Sequence, residues 1–184
     1  MIWIFLADGF EETEALATAD ILVRAGNRVS LIKAGDGEWV RGSHGITVRC
    51  DATTEELPDS KNLRCVVLPG GMPGTLNLEK NETVQQVINL AVVRDIYIAA
   101  ICAAPSILGH KGLLKGRKAT CFPGYEQELS GAEVTGAPVE QDGKIITARG
   151  MGVADSFGLK LVELLNGEKA AAKIGASLQR EEKR

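Results

Sequence analysis

The chain has no long hydrophobic run, no basic excess and little aromatic material. Its 184 residues are 45% apolar, 24% charged and only 4% aromatic, with a formal net charge of −3. A membrane-spanning helix needs roughly 20 consecutive apolar residues. The apolar start, Ile2 to Ala7, is far shorter and runs straight into acids. It also lacks the basic flank of a secretory leader, so the expectation is a cytoplasmic chain with no membrane partner. The missing basic stripe excludes nucleic acid as the main partner, because phosphate binding requires one. Histidine is scarce: only His44 and His110 occur, and Cys50, Cys65, Cys102 and Cys121 form no CxxC pair. A zinc site is therefore not expected, and cysteines in a cytosolic chain are free thiols. No GxGxxG follows the first strand, which removes the dinucleotide fingerprint. The expectation is a chain without metal or cofactor.

What is present is a regular alternation of strand and helix signals, long enough for one full hydrophobic core. Ile2 to Ala7 reads as a buried strand, Glu11 to Ala25 as a helix closed by Gly26, and Val29 to Ala34 as a second strand. Glu38 to Arg41 and Ile46 to Cys50 form a hairpin pattern, and Thr53-Thr54-Glu55-Glu56 a short capped helical turn. Leu63 to Leu68 reads as a strand ending on Pro69-Gly70-Gly71-Met72-Pro73-Gly74. Thr83 to Arg94 reads as an amphipathic helix. Lys118 to Phe122 reads as a strand, Val139 to Gln141 and Ile145 to Ala148 as a hairpin around Asp142-Gly143, and Val153 to Leu165 as a helix. Glu168 to Ile174 forms a short last one. The pattern predicts an α/β sandwich with a mostly parallel sheet, one domain over residues 1–178 with a charged tail at 179–184.

Ile96 to Ile101 is an almost unbroken apolar run that delivers the chain into Cys102. Such a run reads as a buried parallel strand, whose carboxyl end faces the ligand crevice of an open α/β sheet. A helix-compatible segment, Ala103 to His110, begins at once. A strand that turns straight into a helix holds a side chain on a tight elbow beside free backbone N–H groups. A helix amino end also favours thiolate. Cys102 is thus a candidate reactive thiol, against the alternative that it packs as a small hydrophobe. The glycines at the end of the preceding strand can present the Gly71 N–H beside that of Ala103 as an oxyanion hole, unless they form a plain tight turn.

Glu11, Glu12 and Glu14 complement the positive end of the first helix. Glu14 shares a helical stripe with Ala17, Ile21 and Ala25 and so is a candidate to face the sheet, where burial would hold its proton. Spacing alone leaves Glu11 and Glu14 both open. His110 lies eight residues past the cysteine, about 12 Å along a helix, and nothing local brings His44 close. A Cys-His-acid triad is not expected. Cys65 is assigned to the core. Cys121 is assigned there too, with a second thiol near the site as the alternative.

Four segments, ADGFEETEA (7–15), VVLPGGMPG (66–74), AAICAAP (99–105) and ITARGMG (146–152), occur here in this order. Together they resemble the ThiJ/PfpI superfamily, in its Parkinson-disease-protein (deglycase, ThiJ) branch, nearly end to end from Ile2 to about Leu178. The resemblance implies a flavodoxin-like three-layer sandwich of the class I glutamine amidotransferase type, and usually a homodimer. It implies Cys102 as nucleophile, Glu14 as the carboxyl bonded to it, and Gly71 and Ala103 as oxyanion donors. It implies ready oxidation of that cysteine. The activities implied are cofactor-free glyoxalase, repair of glyoxal-glycated proteins and nucleotides, redox-regulated chaperoning and stress protection.

Two departures qualify it. Protease-like members carry histidine directly after the cysteine, where this chain has Ala103. Animal members carry histidine before a later proline, where this chain has Phe122 in Cys121-Phe122-Pro123, as some bacterial members do. The leading expectation is a cofactor-free cysteine-dependent protein acting on small α-oxoaldehydes or their adducts. A redox-sensing chaperone without turnover is the rival, and a cysteine peptidase or amidase is disfavoured by Ala103.

Overall fold

The computed structural model of the chain describes residues 1–179. In chain order it contains β1 (Ile2–Leu6), α1 (Glu12–Arg24), β2 (Val29–Lys33), β3 (Trp39–Arg41), β4 (Thr47–Arg49), β5 (Ala52–Thr53) and β6 (Cys65–Leu68). Then follow α2 (Gly74–Lys80), α3 (Glu82–Val93), β7 (Tyr97–Ile101), α4 (Pro105–His110), β8 (Lys118–Ala119) and β9 (Glu133–Val134). The last elements are β10 (Val139–Asp142), β11 (Ile145–Ala148), α5 (Ala154–Asn166) and α6 (Glu168–Ser177).

Seven strands form the central sheet in the order β10-β11-β7-β6-β1-β2-β5. The β10–β11 hairpin is antiparallel and every other pairing in this sheet is parallel. Successive side chains of a strand point to opposite faces, and β1 shows the consequence. Trp3 and Phe5 pack on one face with Leu78 of α2, Val84 and Ile88 of α3, and Ile107 of α4. Ile2, Ile4 and Leu6 pack on the other with Leu22 of α1, Phe157 and Leu161 of α5, and Ile174 of α6. The flavodoxin-like three-layer sandwich thus follows from strands that are apolar on both faces. Helix α5 lies close to α1 because Gly158 has no side chain; a β-carbon there would stand 3.0 Å from Ile21 Cδ1.

Four local expectations need correction. Residues 53–54 do not form a helical turn. Thr53 pairs with Lys33 on the open edge of β2, and Thr54 Oγ1 accepts the Gly35 N–H at 3.0 Å. Helix α2 was hidden by the glycines and prolines around it, yet Pro73 needs no donor at a helix start. The strand over 118–122 is only Lys118–Ala119, and it pairs with β9 outside the central sheet. Beyond it the Thr120 N–H donates to Thr147 Oγ1 at 2.9 Å and the Phe122 N–H to the Cys102 carbonyl at 2.8 Å. The helix after Cys102 starts at Pro105, leaving a turn over 102–104.

Among the described residues no helix is long and apolar enough to cross a membrane. Residues 180–184, most of the expected charged tail, lie outside the described residues.

Candidate active site

The neighbouring parallel strands β11, β7, β6 and β1 bring their carboxyl ends to one edge of the sheet. Cys102 leaves β7 with φ of 65°, a left-handed conformation that is costly for a residue with a side chain. Hydrogen bonds on both sides hold it there. Its N–H donates to the Ala148 carbonyl at 2.9 Å, and its carbonyl accepts from Phe122. The elbow is thereby clamped to the end of β11 and to the segment after β8. Cys102 is half-buried, while Cys50, Cys65 and Cys121 are buried. Cys121 belongs to the cluster on the opposite face from the one Cys102 packs against, so the structure places it in the core.

Glu14 sits in the first turn of α1, which is capped by the Glu11 carboxylate accepting the Glu14 N–H at 2.6 Å. The cap occupies Glu11, and the stripe geometry sends Glu14 inward, to 1% exposure. The Gly70 N–H donates to Glu14 Oε2 at 2.9 Å, while the Gly70 carbonyl accepts from Glu11 N–H. The same Glu14 carboxyl meets the Cys102 thiol and the Met151 N–H. Gly70 is required by crowding: a β-carbon there would lie 2.5 Å from Cys102 Cβ and 2.8 Å from Glu14 Oε2. The Gly71 and Ala103 N–H groups are directed at the sulfur. All four residues singled out from the sequence, Cys102, Glu14, Gly71 and Ala103, therefore meet in one place.

Burial, opposed by the bonds from Gly70 and Cys102, pushes Glu14 up to about 7. Burial and the adjacent Glu14 push Cys102 up to about 12, against the pull of the Ala103 and Gly71 amides. This corrects the expectation of a thiolate stabilised by a helix end. Helix α4 is only six residues long and begins three residues after the cysteine, so its macrodipole acts weakly on the sulfur. The pair gives up one proton near 7 and holds the second to about 12. Above about 7 and below about 12 it carries one negative charge, shared between carboxyl and sulfur.

Neither histidine is bonded to Cys102. His44 Nδ1 meets Glu12 Oε2 at 2.9 Å, and His110 lies between Glu79 and Glu128. Glu11, Glu12 and His44 bring three ligand-type atoms within 4.8 Å of one another. Glu12, however, already accepts from Ser43 Oγ and from the backbone N–H groups of His44 and Ile46. It ties the β3–β4 hairpin to α1.

One contributor, Gly150, escaped sequence reasoning, and a second, Phe122, entered it only as the residue standing where animal members carry histidine. Gly150 follows β11 with φ of 153°, and the point where its β-carbon would stand is 3.7 Å from Glu14 Oε1 and 3.8 Å from Cys102 Sγ. Phe122 flanks that point at 3.2 Å. The signal available was the Arg149-Gly150-Met151-Gly152 run at the carboxyl end of a strand, where crevice residues gather.

The DJ-1/PfpI family model matches residues 1–164. The chain belongs to the DJ-1/PfpI family. Protein DJ-1 homolog B of Arabidopsis thaliana is 34% identical over 179 residues, 96% of this chain; the chain spans only 41% of that longer relative. A glutathione-independent glyoxalase of Caenorhabditis elegans, DJR-1.2, is 30% identical over 159 residues, covering 85% of this chain and 83% of that protein. Oxidized DJ-1 of Toxoplasma gondii superposes with a TM-score of 0.93 at 32% identity, over 98% of each chain. The DJ-1/PfpI assignment agrees with the mostly parallel central sheet flanked by helices.

Proposed function

We propose that the chain is a cofactor-free glyoxalase that uses Cys102 on α-oxoaldehydes or on their adducts with proteins and nucleotides, in a stress-protective role. The observation that carries the reading is the Glu14 carboxyl lying against the Cys102 sulfur beneath the Gly71 and Ala103 amides. Similarity to a protein named as a glutathione-independent glyoxalase supports it.

In this reading the Glu14 carboxylate takes the thiol proton as sulfur bonds to the aldehyde carbon. The aldehyde oxygen gains the charge, is held by the Gly71 and Ala103 N–H groups, and is protonated to give a hemithioacetal. Such donors contribute about 10²- to 10³-fold each. Glu14 then moves the proton on the former aldehyde carbon to the neighbouring carbonyl carbon, through an enediolate. The first carbon is oxidised and the second reduced, so no external electron acceptor enters. The resulting 2-hydroxy thioester is cleaved by water, returning the thiol and releasing lactate from methylglyoxal or glycolate from glyoxal. The test is methylglyoxal turnover by purified variants. Cys102→Ser loses it and Cys65→Ser keeps it; equal activity in the two overturns the assignment.

A second reading, a redox-sensing chaperone, is favoured by one observation: Cys102 is the sole cysteine of four that is not buried. Mild peroxide followed by mass spectrometry would then add two oxygen atoms to the Cys102 peptide first. Oxidation of Cys50, Cys65 or Cys121 before it rejects this reading. We propose further that the chain pairs as a homodimer. Support comes from Trp39 and Ile46, exposed at 59% and 56% on the β3–β4 hairpin, and light scattering of the purified protein tests it.

A further inference from the structure

Phe122 is the one phenylalanine of four that is not enclosed. Phe5, Phe10 and Phe157 are each 0% exposed, whereas Phe122 is 47% exposed. Its backbone is not loose, because its N–H is donated to the Cys102 carbonyl at 2.8 Å. The chain thus anchors the Phe122 backbone to the Cys102 elbow and leaves part of the aromatic ring uncovered.

The space beside the ring is defined by Gly150. At φ of 153° its backbone is one that residues with a side chain rarely adopt. The position where a β-carbon would stand is therefore kept clear. That position is 3.2 Å from Phe122 Cδ2, 3.7 Å from Glu14 Oε1 and 3.8 Å from Cys102 Sγ. The ring edge of Phe122, the Glu14 carboxyl and the Cys102 sulfur therefore border one small region over the bare backbone of Gly150. The ring edge offers neither a proton nor a lone pair, so whatever lies along it is stabilised by apolar contact and by aromatic packing.

We infer that Phe122 is a specificity-determining wall: it favours α-oxoaldehydes whose substituent is apolar, above all aromatic, over glyoxal itself. The inference rests on the glyoxalase reading of the site. Cys102 attacks the aldehyde carbon, the second carbonyl carbon passes over the bare backbone of Gly150, and the substituent extends across the ring. In phenylglyoxal that substituent is a phenyl group, in methylglyoxal a methyl group, and in glyoxal a hydrogen. An enclosed apolar pocket discriminates by about 10- to 200-fold per methylene. A ring that covers the substituent on one side acts at the lower end, about tenfold between phenyl and hydrogen.

The experiment measures kcat/KM for glyoxal, methylglyoxal and phenylglyoxal with the wild-type chain, Phe122→Ala and Phe122→Leu. Since the three aldehydes differ in intrinsic reactivity, the quantity read is the variant-to-wild-type ratio for each. Phe122→Ala is expected to lose about tenfold more on phenylglyoxal than on glyoxal, chiefly through KM, with Phe122→Leu between. Equal losses on all three aldehydes overturn the inference, since a structural role alone would act on every substrate alike.

A second measurement needs no turnover. Alkylation of Cys102 is followed with phenacyl bromide and with chloroacetamide, the sulfur displacing halide in each case. The preference for the aromatic reagent is expected to fall by the same factor in Phe122→Ala. Preference for phenacyl bromide without turnover of any aldehyde rejects the glyoxalase and leaves the aromatic wall. Turnover with both ratios unchanged by Phe122→Ala rejects the wall and leaves the glyoxalase.

Discussion

The Glu14 carboxyl lies against the Cys102 sulfur: the carboxyl makes the thiol hold its proton more tightly, while the bond from the thiol eases the carboxyl's own ionisation against its burial. Burial raises Glu14 to about 7, and burial together with Glu14 raises Cys102 to about 12. Chemistry at this sulfur therefore depends on a carboxylate that can accept the thiol proton at the moment of attack.

Cys102 reactivity should follow the loss of the pair's first proton. Iodoacetamide alkylation and α-oxoaldehyde turnover are both expected to rise with pH through about 7 and then level off. Glu14→Gln removes the proton acceptor, so the step at about 7 should vanish and turnover should fall by about 10²- to 10⁴-fold. A pH profile in Glu14→Gln that still steps near 7 contradicts the role assigned to Glu14.

The same carboxyl makes the fold pH-dependent. Its pKa is raised from 4.5 to about 7, so the folded chain binds this proton more tightly than the unfolded chain. Below 4.5 both states are protonated and nothing is lost. As pH rises from 4.5 to 7 the folded state loses stability, and above 7 the loss is complete, about 3 kcal/mol. Glu14→Gln keeps an oxygen for the Gly70 N–H without the charge. Urea unfolding should show the variant more stable than wild type at pH 8, with the difference much reduced at pH 4. A less stable variant at pH 8 contradicts the burial cost.

Gly70→Ala should abolish both activity and Cys102 alkylation. The new methyl group would stand 2.5 Å from Cys102 Cβ and 3.0 Å from the Ile101 carbonyl. Overpacking of this kind costs about 1–3 kcal/mol, readable as a lowered melting temperature. Unchanged alkylation kinetics would show that the loop yields to the methyl group.

Glu12 secures the β3–β4 hairpin. Burial opposes its charge, but the His44 ring and the backbone N–H groups of His44 and Ile46 bring it down to about 2. Its contribution is present above 4.5 and is lost as pH falls through about 2. Glu12→Ala should speed amide hydrogen exchange at His44 and Ile46, and cost about 1–3 kcal/mol for the partners left unpaired. Unaltered exchange at those amides rejects the tie.

His110 joins three elements, α2 through Glu79, α4 itself, and the turn at Glu128. Both ring nitrogens face carboxylates, which only accept, so the bridged ring carries both protons. The two acids raise its pKa above 6.5. Its contribution is full below 6.5 and disappears as pH rises through the raised value. Proton NMR should find the His110 ring titrating above 6.5, and Glu79→Gln with Glu128→Gln should return it towards 6.5. A ring that titrates at 6.5 in the wild type rules out the bridge.

The amino-acid sequence by itself determined the alternation of strands and helices, the elbow at Cys102 and the glycine loop at Gly71. These are local properties: strands apolar on both faces bury on both faces, and small residues permit tight turns. It narrowed the carboxyl to the first turn of α1 but left Glu11 and Glu14 open on spacing alone; the family resemblance pointed to Glu14. Tertiary structure decided the rest. Glu14 is the inward carboxyl because Gly70, 56 residues away, offers it an N–H, while Glu11 is occupied as the helix cap. Phe122 stands at the Cys102 elbow because strand pairing ends at Ala119 and its N–H finds the Cys102 carbonyl instead. The protonation of Cys102 went against the sequence expectation for the same reason. A pKa is set by burial and by whichever charge lies nearest in space, and here that charge comes from a helix 88 positions earlier in the chain.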